Sequence, residues 1–137
     1  MIPPERIKHF VQHTLGCGCP DEVFHSIDVR RSVRLNSFIV LDSVLTIGSR
    51  LLVYIAEAGS AGCIEEHLPV LVAAGIKERD EKGLNRFRLV LASDMPDEVR
   101  QAAERQFTEL RGTDEKVHLH VIGNKEIPFI TTRTRET

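Results

Sequence analysis

Leu51-Leu52-Val53-Tyr54-Ile55-Ala56 is an unbroken apolar run, followed by Glu57-Ala58-Gly59-Ser60-Ala61-Gly62. How this stretch is read decides the fold. Apolar residues without alternation suit a central strand covered on both faces. The glycine-containing segment then turns the chain into a helix over about residues 62–75, with Ile64, Leu68, Leu71 and Val72 inward. Gly75 reads as its C-terminal stop, and Pro69 as a kink or a split. Lys77 to Asn85 reads as a charged surface loop, and Arg86 to Ala92 as the next strand.

Further on, Ser93 or Asp94 caps a helix with Pro96, Asp97 and Glu98 in its first turn. Val99, Ala102, Ala103, Phe107 and Leu110 share its inner face, and Gly112 ends it. Val117 to Ile122 reads as a final strand, with His118 and His120 on the face opposite Val117, Leu119 and Val121. Strand–helix–strand–helix–strand over residues 51–122 predicts parallel strands joined by two right-handed βαβ crossovers.

Upstream of residue 51 the chain is β-rich, from Val29 to Ile47. Two antiparallel strands fit there, with a turn near Asp42 or Gly48. Two helices precede them, over about residues 4–15 and 20–27. The first has Ile7, Phe10, Val11, Thr14 and Leu15 inward, and the second Val23, Phe24 and Ile27. The expected architecture is a single α/β domain over residues 1–127. It has a mixed sheet of four or five strands and an N-terminal helical pair. Residues 128–137, rich in Thr and Arg, read as a flexible tail.

Composition narrows the class. The chain has 137 residues, 42% of them hydrophobic, which suffices for a sizeable core without disulfide staples. The net charge of −2 shows no basic bias towards nucleic acid or an anionic membrane. No apolar run is long enough to span a bilayer, and the first residues lack a signal-peptide form. Three cysteines are an odd count, unlike a secreted disulfide framework. A cytoplasmic protein with reduced thiols is expected. A homo-oligomer is compatible with this, and no small-molecule ligand can be named.

The chemistry concentrates in Leu15-Gly16-Cys17-Gly18-Cys19-Pro20-Asp21-Glu22-Val23-Phe24. Gly16 suits the end of one helix and Pro20 the start of the next. That puts Cys19 at an N-cap, where the helix dipole favours thiolate. Asp21 and Glu22 in the same turn oppose it. Paired thiolates are what zinc and iron–sulfur centres use. Cys63 and His67, four apart at the start of a helix, would complete a four-ligand set with Cys17 and Cys19. The same cysteines could instead form a redox dithiol, Cys19 attacking and Cys17 resolving, although a C-x-C loop strains a disulfide. They could also be small buried fillers.

Weaker candidates surround them. The loop Gly59-Ser60-Ala61-Gly62 could hold an anion on its backbone N–H groups, though it matches neither a Walker motif nor a dinucleotide fingerprint. His9 and His13 share a helix face opposite the apolar stripe and read as solvated, with His13 the better placed to reach the cysteines. His118 and His120 could reach a metal. Arg30, Arg31, Arg34 and Arg50 could form one basic edge for a partner. Three functions stay open: a metal-binding protein, a thiol redox enzyme, and a non-catalytic assembly domain.

Overall fold

The computed structural model describes residues 3–58 and 61–126, with the backbone alone for residues 61–63. Its elements are α1 (Pro4–His9), β1 (Ile27–Arg34), β2 (Val40–Ile47), β3 (Leu51–Glu57), α2 (Ala61–Glu81), β4 (Arg86–Ser93), α3 (Pro96–Arg111) and β5 (Val117–Gly123). The five strands form one sheet in sequence order. β1 and β3 flank β2 antiparallel, while β3, β4 and β5 run parallel. The fold is therefore α/β with a mixed sheet. Among the described residues, no helix is long and apolar enough to cross a membrane.

Alternation along β3 divides the core. Leu52, Tyr54 and Ala56 face the cluster built by α2 and α3. Leu51, Val53 and Ile55 face a second cluster with Ile7, Phe10, Val11, Leu15 and Cys17. The sheet is thus covered on both faces, which is why β3 needs an apolar side chain at nearly every position.

Several sequence expectations are corrected. Helix α2 runs through both Pro69 and Gly75 to Glu81, so the expected stop at Gly75 and the start of a loop at Lys77 do not occur. The reason lies in packing. A Cβ on Gly75 would fall inside contact distance of Cζ and both Cε atoms of the Phe87 ring. Gly75 lets the helix pass close over Phe87 of β4, and Ile76 beyond it still packs against the core.

Of the two positions expected for a turn, Gly48 holds one and Asp42 does not. Asp42 and Ser43 sit buried in the middle of β2. There the first two strands exchange faces. Ile27, Val29, Leu45 and Ile47 pack with the N-terminal segment, whereas Val33, Leu35, Leu41 and Val44 pack with the helices. Ser32, directly across, has φ 53°. The buried carboxylate accepts from Ser43 Oγ at 2.8 Å and lies 3.9 Å from Arg31 Nη2. The hairpin turns form on either side of this point. Asn36 Oδ1 accepts from the N–H groups of Phe38 and Ile39, each at 2.8 Å, and Gly48 opens the second turn.

At the N-terminus there is no second α-helix. Asp21–His25 makes a short 3₁₀ turn, Ser26 is extended, and Ile27 pairs with Ile47 in the sheet. Strand pairing takes Ile27, and Ser26 O accepts from the Gly48 N–H at 2.7 Å, so the last turn of a helix over 20–27 does not form. The expected tail at 128–137 lies outside the described residues.

Candidate functional site: a dithiol in an arginine-lined cleft

The first helix does not end as a regular α-helix. After His9 the chain widens over Phe10–Thr14. The Leu15 N–H donates to Phe10 O at 3.0 Å, and the Cys17 N–H donates to Val11 O at 3.1 Å. These spacings of five and six residues replace the usual four. The widened turn brings Leu15 and Cys17 into the same apolar layer as Phe10 and Val11. Gly16 then reverses the chain at φ 70°, the left-handed conformation expected of it.

Two residues on, Cys19 is only partly buried, while Cys17 is 8% exposed. Their Cα atoms are 5.3 Å apart and their sulfurs lie at disulfide-bonding distance. Gln12 fixes the segment by donating from Nε2 to Cys19 O at 3.1 Å and to Asp21 Oδ1 at 3.3 Å. The Gln12 hydrogen bond, then Lys8, holds the Asp21 carboxyl below its ordinary range. Pro20 precedes a 3₁₀ turn, so Cys19 does not cap an α-helix and no helix dipole acts on its sulfur.

The cysteines line a cleft of about 440 Å³. Its opposite wall is made by Arg50, Asn85, Arg86 and Arg88, from the amino ends of β3 and β4. This is the reverse of the usual rule that places ligands beyond the carboxyl ends of parallel strands. The N-terminal segment causes the reversal, because it lies across the sheet and ends over those amino ends.

Arg88 is held in place. Its Nη1 donates to Leu15 O at 3.3 Å and to His120 Nε2 at 2.8 Å. Arg86 Nη1 lies 3.3 Å from His118 Nε2. Burial, then the Arg88 charge, pushes the His120 pKa down to about 4, so its ring is neutral at pH 7 and accepts from the guanidinium. Burial, then Arg88 and Arg86, also lowers His118. Burial, then Arg86, lowers Arg88 itself. The two histidines thus act as neutral acceptors that orient two arginines.

The other sequence candidates fall elsewhere. His67 lies on α2, which packs on the opposite face of the sheet from Cys17, so these two ligands of the expected set are not brought together. The Cys63 side chain, and Gly59 and Ser60 of the anion loop, lie outside the described residues; of Gly62 the backbone alone is described, in the first turn of α2. Among the described residues, no three His, Cys, Asp or Glu side chains are grouped to hold a metal. His9 and His13 are exposed, with ring centroids 4.5 Å apart. The arginines expected to share one edge diverge: Arg30 bonds Glu78, Arg31 bonds Asp42, and Arg50 joins the cleft.

Arg86 and Arg88 escaped the sequence reading. Their signal was alternation with Phe87 and Leu89, matched in β5 by His118 and His120. Compared with family models, curated proteins and solved structures, the chain has no match.

Proposed function

We propose that the protein is a thiol–disulfide exchange protein working through Cys17 and Cys19. The observation that carries this reading is the pair of sulfurs at bonding distance, one buried and one accessible, on the wall of an open cleft. Neighbouring guanidinium groups support it further, because positive charge favours thiolate and thiolate is the reacting form. Among the described residues, the cleft lining offers no imidazole or carboxylate as a third ligand, so a metal on Cys17 and Cys19 has less support.

The exchange balances as follows. A substrate thiolate attacks the accessible Cys19 sulfur, and the Cys17–Cys19 bond breaks. Cys17 leaves as a thiolate and takes a proton from solvent. A second substrate thiolate then attacks the substrate sulfur of the mixed disulfide and releases Cys19. Two thiols become one disulfide, and the protein gains two electrons and two protons. The reverse sequence oxidises the protein dithiol. In a reducing cytoplasm the dithiol form would dominate and act as the reductant.

Thiol counting tests the reading. Protein equilibrated with oxidised glutathione should titrate one thiol after denaturation, and three after reduction. Alkylation of the reduced protein should find Cys19 reacting well below the unperturbed pKa of about 8.5. Three free thiols under every oxidising condition would refute the reading. One equivalent of zinc or iron in untagged protein, lost in Cys17→Ser, would replace it with the metal site.

A further inference from the structure

The cleft beside the dithiol carries more positive charge than disulfide chemistry requires. Arg50, Arg86 and Arg88 line it, and among the described residues no carboxylate does. Among the described residues, none of the three forms an ion pair with an acidic side chain. The chain as a whole is slightly acidic, with a formal charge of −2, so this concentration runs against its average. Arg88 Nε is buried and has no hydrogen-bond partner among the described residues. A buried donor without a partner costs free energy unless a ligand or water meets it.

Geometry adds to charge. Leu15 O and His120 Nε2 both accept from Arg88 Nη1, so that end of the guanidinium is anchored before any ligand arrives. Planar guanidinium groups match carboxylates in bidentate fashion. The volume of about 440 Å³ lies within the range of small-molecule sites. It admits a molecule of peptide-fragment size and excludes a folded domain.

We infer that this cleft binds small carboxylate-bearing molecules through Arg50, Arg86 and Arg88, and that the exchange partner of Cys17–Cys19 is an anionic low-molecular-weight thiol. The second half rests on the proposed redox function, and the first half does not. The arginines would hold the partner's carboxylate while its sulfur meets Cys19.

Two measurements separate the halves. The first uses the Cys17→Ser/Cys19→Ser variant, which has no dithiol. Succinate should shift the NMR resonances of Arg86 and Arg88 saturably, and in Arg50→Gln/Arg86→Gln on that background the Arg88 shift should be lost. Inorganic phosphate is the control for the anion class. Tighter phosphate than succinate binding overturns the carboxylate assignment, and no saturable binding of either overturns the site.

The second measurement uses the disulfide form of the wild type. It is reduced by 3-mercaptopropionate, 2-mercaptoethanol and cysteamine, each rate normalised to thiolate concentration. The anionic thiol should be faster than the neutral one by roughly tenfold, the low end of what a cleft of opposite charge adds to association. The advantage should shrink with salt and vanish in Arg50→Gln/Arg86→Gln, both exposed positions whose change should leave folding intact. Equal rates for all three thiols overturn the inference. Succinate binding with no exchange by any thiol refutes the redox function and leaves the carboxylate site standing.

Discussion

Replacing Gly75 with alanine should destabilise the protein, although the site lies inside a helix. Propensity alone predicts the opposite, since Ala is better than Gly in a helix interior by about 0.8–1 kcal/mol. The structure opposes it. The new Cβ would overlap the Phe87 ring, which is fully buried and wedged edge-on against Tyr54 with ring centroids 5.0 Å apart. Both rings are buried, so a shift of either must displace its neighbours. Overpacking of this kind costs about 1–3 kcal/mol. The net expectation is a loss of about 1 kcal/mol, within a range of roughly 0–2. For a chain of 137 residues, unfolding entropy makes each kcal/mol worth about 3–4 °C in Tm. The assay is thermal and urea unfolding of wild type, Gly75→Ala, Phe87→Leu and the double variant. In the double variant the alanine methyl occupies space the ring has left, so it should be more stable than the sum of the single losses by about 1 kcal/mol or more. A Gly75→Ala protein that melts above wild type, with additive double-variant losses, would refute the close-approach argument.

Four further outcomes follow from the polar network, the cleft and the turn after β2. Tyr54 donates to Glu78 Oε1 at 2.6 Å, so Tyr54→Phe should cost about 1–2 kcal/mol in urea melts. Burial alone would raise the Glu78 carboxyl, but Lys82, Tyr54 and Arg30 outweigh it and hold it below its ordinary value. Its stabilisation is therefore present above the unfolded carboxylate pKa and is lost as pH falls through the folded value; Glu78→Gln should flatten that acid limb of a stability–pH curve. His120, lowered to about 4, must lose stabilisation as pH drops from its unperturbed 6.5 towards that value, and His120→Gln, which keeps an acceptor for Arg88, should remove that slope in the same measurement. Gly48→Ala should destabilise by more than 1 kcal/mol, because φ is 60° and a Cβ would collide with the Val23 backbone.

Much of this molecule was legible before folding. Residues 51–57, 86–93, 96–111 and 117–123 carry local signals strong enough to stand alone: apolar runs in the strands, and in the helix a Pro-Asp-Glu start and a terminating Gly112. Burial follows such patterns because each element must hide its own apolar face. Cys17 and Cys19 were equally visible as a pair, since chemistry at two-residue spacing is a local property.

Tertiary contact decided the rest. Gly75 resembles a helix stop in one dimension, and only the Phe87 ring against it explains why the helix continues. Asp42 resembles a turn residue until its neighbours exchange faces of the sheet and enclose it. Residues 20–27 carry a helical pattern, but Ile27 gains a strand partner in Ile47. The cleft is the clearest case. Cys17 and Arg88 are 71 positions apart, and nothing local in either segment refers to the other. They meet because a widened helical turn carries the cysteines across the sheet to the amino ends of β3 and β4. Local sequence specifies what each segment can bury, whereas a site assembled from distant segments exists only once the burial has been completed.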